Sequence, residues 1–150
     1  MSAADANLTA AHAEVKAEIA RTDTKTGLLL AFIGAVLAGA WTVAKDMPLN
    51  PAAYAVGGSG MVLLVGASGL LLRSVRPNLR GRHGFPLWAT LTAEEITATL
   101  AEVDRSADIA GLSRLAVAKF TGLRRAIDLT CAGGALLALA ALIAVVGGAA

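Results

Sequence analysis

The sequence is poor in the side chains on which most enzymes and metal proteins depend. It has two histidines and one cysteine, and phenylalanine, tryptophan and tyrosine together make up 4% of it. His12, His83 and Cys131 do not have the spacing of a metal-ligand set, so both histidines are predicted to be solvated surface residues. A phosphate-binding glycine loop, a zinc-protease motif and a serine elbow are also absent. We therefore expect no enzyme activity, no catalytic residue, no metal and no cofactor.

The single cysteine excludes a disulfide within the chain, so cysteine usage says nothing about the cellular compartment. Cys131 falls inside a long apolar run. We expect it to be a small apolar filler in a helix, because burial among apolar groups suppresses the reactive thiolate.

Acidic and basic side chains are missing from three long stretches of the chain. Residues 26–44 and 51–72 contain no Asp, Glu, Lys or Arg, and residues 127–147 contain only Asp128. A helix of about 20 apolar residues crosses the hydrocarbon core of a bilayer, which is roughly 30 Å thick. The first stretch follows a polar segment and is longer than the apolar region of a cleavable signal peptide. The sequence therefore predicts three transmembrane helices, of which the first is a retained anchor.

The 13 lysines and arginines are distributed unevenly about these predicted spans. All of them except Lys45 either precede the first span or lie between the second span and the third. Positively charged segments beside a span tend to stay in the cytoplasm. We therefore predict a membrane protein whose N-terminus and long loop are cytoplasmic and whose C-terminus is outside.

Apolar residues also recur at helical spacing before the first span. Leu8, Val15 and Ile19 form such a stripe, and Asn7 is the predicted N-cap of its helix. No proline or glycine interrupts the run from Leu8 to the start of the span. The sequence therefore predicts one long helix that continues from the cytoplasm into the membrane.

A similar pattern precedes the third span. Thr92 and Glu95 have the spacing of a capping box, which predicts a helix that runs to about Asp104. We expect a break at residues 105–108, followed by a second long helix that begins near Ile109 and continues into the span.

Apolar stripes on these helices would be unfavourable in water unless they pack together. We expect the N-terminal stripe to pack against the stripe after Ile109, which consists of Leu112, Ala116, Phe120 and Leu123, while the helix that begins at Thr92 covers a third side. The predicted fold is an all-α membrane protein with three transmembrane helices and a cytoplasmic helical extension. It forms a single membrane domain of residues 1–150, made of a cytoplasmic helix (7–25), spans (26–44, 51–72 and 127–147) and a cytoplasmic loop with helices (73–126).

A basic loop after the second span is the strongest charge feature. Its four arginines are Arg73, Arg76, Arg80 and Arg82. A cation near an anionic bilayer surface contributes about 1 kcal/mol of attraction, whereas stacking on bases needs aromatic side chains that the loop lacks. We expect this loop to contact anionic lipid headgroups, and we expect no nucleic-acid partner.

Two carboxylates lie where the long helices are predicted to meet the membrane. Asp23 precedes the first span and Asp128 lies at the edge of the third. A carboxylate at that depth is costly unless it is paired or hydrated. We expect ion pairs with the basic residues at the same level, which are Arg21, Lys25, Arg124 and Arg125. Because no charge lies deeper, selective ion or proton transport is disfavoured.

Pairs of small residues in the spans allow two helix backbones to approach closely. Gly34 and Ala38 form one such pair, and Gly134 and Ala138 form another. The pattern favours packing within one subunit and self-association equally. Three spans can scarcely enclose a polar pore, so any permeation function requires a homo-oligomer.

Several short motifs beside the spans follow the pattern of a known family. They are Asp23-Thr24-Lys25, Phe85-Pro86-Leu87-Trp88 ahead of the Thr92 helix, Leu112-Ser113, Lys119-Phe120 and Leu123-Arg124. From about Val15 to Val146 the chain resembles the membrane effector family of the Pycsar anti-phage systems. Related small proteins of this family have been labelled integral membrane plasmid transfer proteins.

The resemblance implies a multi-span effector that compromises the inner membrane when a cyclic pyrimidine nucleotide is sensed. In better-known members sensing is assigned to a separate nucleotide-binding domain, for which we expect this chain to have no room. The cytoplasmic helices would then receive a signal from a protein or nucleotide partner. The positions that match the family are Asp23, Lys25, Ser113, Lys119 and Arg124, and the resemblance assigns a binding role to none of them.

Two functions of different classes are compatible with these observations. The first is a membrane-perturbing effector whose cytoplasmic helices restrain the spans until a signal shifts them. The second is a structural protein that assists plasmid transfer by binding a transfer machinery.

Overall fold

The computed structural model of the protein describes residues 3–46, 50–76, 85–101 and 104–147. These residues form five helices and no strand, so the all-α prediction is confirmed. The helices are α1 (Ala3–Asp46), α2 (Pro51–Val75), α3 (Phe85–Trp88), α4 (Ala93–Ala101) and α5 (Arg105–Gly147). Three of them, α1, α2 and α5, are long and apolar enough to cross a membrane, as the sequence predicts.

The chain divides into two compact units. Met1–Ala20 and Arg76–Ala118 form the first, which we call the head unit. Arg21–Val75 and Lys119–Ala150 form the second, which we call the three-helix unit. Helices α1 and α5 each contribute residues to both units.

The first long helix is continuous, as predicted. Helix α1 contains 44 residues, and a helix of that length extends about 66 Å. The prediction that Asn7 is its N-cap is wrong, because the helix already includes Ala3 and Asn7 lies inside it. Near the start of α1, the Thr9 hydroxyl donates a hydrogen bond to the Asp5 carbonyl oxygen at 2.8 Å.

The predicted capping box is present at the start of α4. The Thr92 backbone N–H donates to Glu95 Oε2 at 2.8 Å, and the Glu95 backbone N–H donates to Thr92 Oγ1 at 3.3 Å. Each residue thus satisfies a donor that the first helical turn leaves unpaired.

The predicted break at residues 105–108 is wrong, because α5 begins at Arg105. The residue that starts it is Asp104, whose Oδ1 accepts hydrogen bonds from the backbone N–H groups of Ser106 at 2.9 Å and Ala107 at 3.3 Å. An aspartate N-cap places the negative charge at the positive end of the helix dipole. The apolar pattern alone did not show this start, because the first helical turn carries no apolar stripe.

The start of α5 is expected to depend on pH. The side-chain hydrogen bond with Ser106, and then the backbone N–H groups of Ala107 and Ser106, lower the pKa of the Asp104 carboxyl from its ordinary value of 3.8. A lowered pKa in the folded protein means that the cap is fully effective above pH 3.8 and is lost as the pH falls through the folded value. In detergent micelles, the protection of amides 105–108 from hydrogen exchange, measured against the intrinsic exchange rate at each pH, should therefore fall at acidic pH.

A matched variant separates this effect from general acid sensitivity. Asp104→Asn retains a capping oxygen that does not titrate. In this variant, the protection of amides 105–108 should therefore not fall in a step at acidic pH. An identical acidic step in wild type and in this variant would mean that Asp104 is not responsible.

The three-helix unit is held together by apolar contacts and by a close approach of two helices. Its buried cluster consists of Ile33, Leu64, Ala67, Leu71, Leu123 and Ala126. Gly60 of α2 faces Gly133 of α5 so closely that a Cβ atom on Gly60 would lie 2.8 Å from the Gly133 carbonyl oxygen. Gly57 lies near Ala140, so the numbering falls along α2 as it rises along α5. The two helices are therefore antiparallel.

Side-chain hydrogen bonds join the helices at the end of this unit where α2 begins. Asn50 caps α2 by accepting from the Ala53 backbone N–H at 2.8 Å, and its Nδ2 donates to the Ile143 carbonyl oxygen at 3.4 Å. The Tyr54 hydroxyl donates to the Ala44 carbonyl oxygen at 3.1 Å, which joins α2 to the end of α1.

The stripe predicted for the helix after Ile109 is divided between the units. Leu112 and Ala116 are half-buried in the head unit, in agreement with packing beside the N-terminal stripe. Phe120 and Leu123 belong to the three-helix unit, where Leu123 is buried and Phe120 is 38% exposed. The expected packing of Leu8, Val15 and Ile19 against this stripe stays a prediction.

Candidate functional site

An ion pair between α1 and α5 is the main polar contact that the structure shows inside the three-helix unit. Lys119 Nζ donates to Asp23 Oδ1 at 2.6 Å and to Oδ2 at 2.8 Å. The Lys119 side chain is only 16% exposed, whereas that of Asp23 is 43% exposed. The pair therefore has one side in the helix interface and one side open to the surroundings.

The position of Lys119 follows from the helical repeat of α5. Leu123, Ala126 and Thr130 continue from it at spacings of four, three and four, and all three are buried. Residues with this spacing lie on one face of a helix. Within the three-helix unit, Lys119 is thus the first residue of the face of α5 that turns inward.

Buried threonines accompany the pair on α1. Thr22 and Thr26 are 1% and 2% exposed, and the Thr26 hydroxyl donates to the Thr22 carbonyl oxygen at 2.8 Å. A hydroxyl that bonds to the preceding turn of its own helix needs no other partner. These threonines let α1 pack tightly beside the charged pair without leaving a buried hydroxyl unsatisfied.

The structure pairs Asp23 with a residue that we did not predict as its partner. We expected Arg21, Lys25, Arg124 or Arg125, whereas the ion pair is with Lys119. Lys25, Arg124 and Arg125 are exposed, because they lie away from the inward faces of their helices. Asp128 is also exposed and forms no ion pair with any residue of the described part of the chain.

Of the five positions that match the family motifs, the structure brings two into contact, Asp23 and Lys119. Lys25 and Arg124 are exposed in the three-helix unit, and Ser113 is half-buried in the head unit. Nothing in the structure assigns a ligand to any of the five.

The arginines of the basic loop are only partly described. Arg73 lies in the last turn of α2, and Arg76 follows the end of that helix; both are exposed. Arg80 and Arg82 lie outside the described residues. The contact with anionic lipid headgroups stays a prediction.

The head unit contains a second interhelical contact, which sequence reasoning missed. His12 Nε2 lies 2.9 Å from Asp108 Oδ2, and Arg105 Nη1 donates to the Thr9 hydroxyl at 3.3 Å. His12 is 26% exposed and bonded to Asp108, so it is less solvated than the sequence predicts. The apolar stripe of α1 gave no sign of it, because His12 lies beside that stripe and its partner is 96 residues away.

An apolar groove lies at the opposite end of the three-helix unit from the ion pair. Its volume is 460 Å³, and its walls include Gly39, Tyr54, Gly57 and Ala140. The groove exists because small residues of all three helices line it. Among the described residues that line it, none is charged.

These features hold helices in place. Within residues 3–46, 50–76, 85–101 and 104–147, no group of three or more His, Cys, Asp or Glu side chains is arranged to hold a metal ion. The Lys119–Asp23 pair fixes the position of α5 along α1 in the three-helix unit, because both oxygens of one carboxylate bind a single ammonium group.

Three long apolar helices, joined by apolar packing and one interhelical ion pair, define an integral membrane protein. Comparison with known families is more specific. The chain belongs to the PycTM family, the Pycsar effector protein domain, whose family model matches residues 7–147. This match confirms the resemblance found in the short motifs. No curated protein matches the chain, and no solved structure does.

Proposed function

We propose that the protein is a non-enzymatic effector that perturbs the bacterial inner membrane in anti-phage defence linked to a cyclic nucleotide. The observation that carries the proposal is the match of residues 7–147 to the Pycsar effector domain. The match extends over both units and all three apolar helices, so it concerns the whole described architecture.

We assign the transmission of the signal to the two long helices, α1 and α5. Helices α1 and α5 contain no break between the residues that belong to the head unit and those that belong to the three-helix unit. A nucleotide or protein that binds in the cytoplasm and shifts these helices would alter the contacts among the spans. In the three-helix unit, the Lys119–Asp23 pair is the polar contact that such a shift would have to preserve or break.

The orientation in the membrane is part of this proposal. The uneven distribution of lysine and arginine supports a cytoplasmic N-terminus and an outer C-terminus. Arg73 and Arg76 would then lie near the anionic headgroups of the inner leaflet, which they would attract.

Self-association is also required by this proposal. The described parts of the three helices pack around a core of Ile33, Leu64 and Ala67, so apolar side chains fill the space between them. Leakage would therefore arise between subunits or at the boundary between the assembly and the lipid.

The proposal predicts a signal-dependent loss of membrane potential. Bacteria that express the protein from an inducible promoter should depolarise and stop growing when cyclic UMP or cyclic CMP is produced by a co-expressed cyclase. A potential-sensitive dye and the growth rate are the measurements. The controls are the cyclase alone and an unrelated three-span protein expressed at the same level.

Unchanged potential and growth under every condition would contradict the effector proposal. The alternative, assistance to plasmid transfer, makes a different prediction in the same strains. Deleting the gene from a donor strain would lower the transfer frequency of its plasmid without any change in membrane potential.

A further inference from the structure

Asp128 lies deeper in the apolar part of the three-helix unit than its position in the sequence suggests. Gly60 faces Gly133, and α2 runs antiparallel to α5. Asp128 is five residues before Gly133, so it is level with Val65, which is five residues after Gly60. Arg73, the first charged residue towards the end of α2, is eight residues beyond Val65. At 1.5 Å per residue this separates Asp128 from the level of Arg73 by about 12 Å.

Helix α1 gives the same result independently. Lys119 and Asp23 are in contact and differ by 96 in number, so Asp128 is level with Phe32 in a parallel arrangement of α1 and α5. Phe32 is seven residues beyond Lys25, the last charged residue before the apolar part of α1. Asp128 is therefore about 10 Å inside that boundary.

This carboxylate has no partner within the described part of its own chain. It is exposed on the outer surface of the three-helix unit, and neither an ion pair nor a hydrogen bond joins it to a described side chain. Arg124, one turn earlier on the same face, is likewise exposed and unpaired among the described residues. An unpaired carboxylate that faces hydrocarbon is strongly unfavourable.

The outward face around Asp128 has the geometry of a helix–helix seam. Its exposed residues recur at alternating spacings of four and three, and they are Arg124, Asp128, Cys131, Ala135, Ala138 and Leu142. Alternation of four and three is the heptad repeat through which two parallel helices pack. The outward faces of α1 and α2 have similar spacing, but neither contains a carboxylate within its apolar part. The small Ala135 and Ala138 allow another backbone to approach.

A second copy of the chain offers this outward face of α5 better contacts than lipid does. Acyl chains offer no donor to a carboxylate, and an aspartate side chain is too short to extend far along the helix. Two copies inserted with the same orientation would pack α5 against α5 in parallel. In a parallel heptad pair, the residue at the position of Arg124 packs into the hole that includes the position of Asp128 on the other helix.

We propose that the protein forms a parallel dimer, or a larger assembly of such pairs, through the outward face of α5 from Arg124 to Leu142. Asp128 of each copy pairs with Arg124 of the other, so the two-fold symmetry creates two ion pairs and leaves no net charge in that layer. This names a surface for the self-association that the proposed function requires, but it stands on the contacts and charges of the three-helix unit.

The only cysteine of the chain lies in this seam and provides a direct test. Cys131 of two copies should be crosslinked by copper phenanthroline or by a short bis-maleimide in native membranes. Two variants that carry the cysteine at the same level on the other helices are the controls: Cys131→Ala combined with Ala35→Cys on α1, and Cys131→Ala combined with Val62→Cys on α2. Both new positions are exposed. Cys131→Ala with Ala138→Cys returns the thiol to the seam and should restore the dimer.

Equal crosslinking at Ala35, Val62 and Cys131 would show random collisions and would overturn the proposed seam. Absence of a Cys131 dimer, or a dimer confined to a cysteine on α1 or α2, would overturn it as well. All the exchanged positions face outward, so the fold of the unit is not put at risk by the substitutions.

A second test concerns the charges. Asp128→Asn and Arg124→Gln should each lower the yield of the Cys131 crosslink roughly five- to thirtyfold, since each removes both symmetric pairs. The double variant Asp128→Arg with Arg124→Asp should recover the yield, because the reciprocal pairing is retained with its signs reversed. If Asp128→Asn crosslinks as well as wild type, the carboxylate is satisfied elsewhere, for instance by an arginine of its own helix, and the proposed pairing is wrong.

Crosslinking reports association whether or not the membrane becomes leaky. A protein that depolarises cells but shows no preference for Cys131 would lose this interface and keep its proposed function. A protein that crosslinks at Cys131 but never depolarises cells would keep the interface and lose the function.

Discussion

Replacing Gly133 by alanine is expected to destabilise the three-helix unit by about 1–3 kcal/mol, the usual cost of overpacking a tight interior. A Cβ atom at this position would lie 2.9 Å from the carbonyl oxygen of Gly60 and 2.9 Å from Leu64 Cγ. Leu64 is buried in the core, and the Gly60 carbonyl oxygen belongs to the backbone of α2, so neither can move aside freely. The helices would have to separate, and the contacts that depend on their closeness would weaken. Gly60→Ala should act in the same direction, because its Cβ atom would meet the Gly133 carbonyl oxygen.

The neighbouring residue provides the control. A Cβ atom on Gly134 would meet nothing within 4 Å, so Gly134→Ala should be neutral or slightly stabilising, since alanine favours a helix more than glycine does. The measurement is the free energy of unfolding in mixed micelles, obtained by titration with a denaturing detergent. Equal stability of the Gly133 and Gly134 variants would show that α2 and α5 do not approach each other at this point.

Removing the carboxylate of Asp23 is expected to have the second large effect. In Asp23→Ala the ammonium group of Lys119 would stay in the helix interface without a partner, at 16% exposure. Losing one member of a fully buried pair costs about 3–5 kcal/mol. Asp23 is 43% exposed, so solvent weakens the pair, and we expect a loss of about 1–3 kcal/mol.

Two comparisons test the cause of this loss. The double variant Asp23→Ala with Lys119→Ala should be more stable than Asp23→Ala alone, because the uncompensated charge is gone. Lys25→Ala removes an exposed ammonium group two residues away and should change the free energy of unfolding by less than about 0.5 kcal/mol. Additive losses in the double variant would mean that the two side chains do not interact.

The two predictions concern different kinds of contact in one unit. The glycines set how closely α2 approaches α5, and the ion pair sets where α5 lies along α1. In the proposed effector, a variant with weakened contacts among the spans tests whether the head unit restrains the spans. If the head unit restrains the spans, the Asp23→Ala protein should depolarise cells at a lower level of signal than wild type does.

Much of the fold could be predicted from the sequence, and the reasons are local. The absence of charge from residues 26–44 and 51–72 predicts membrane spans, because the hydrocarbon core of a bilayer favours apolar side chains and disfavours charged ones. Thr92 and Glu95 predict a helix start, since both hydrogen bonds of the capping box form within four residues. Interactions over such short distances depend on the order of residues alone. The family could also be recognised from short motifs, and its family model matches residues 7–147.

The start of α5 is an instructive failure of the same reasoning. The apolar repeat begins near Ile109, but the helix begins at Arg105, because Asp104 caps it. An aspartate followed by serine and alanine is an adequate N-cap signal, and it was outweighed by the lack of apolar residues in the first turn. The stripe shows where a helix packs, whereas the cap shows where it begins.

The sequence by itself determined that this chain spans a membrane three times with helices, because burial of apolar groups in lipid requires only length and composition. Only the tertiary structure decided which charges meet. Lys119 reaches Asp23, and Arg124 does not, because the rotation of each helix and its sliding along its neighbour are fixed by packing between residues far apart in sequence. The same packing places Asp128 level with Phe32 of α1 and Val65 of α2, on a face turned outward.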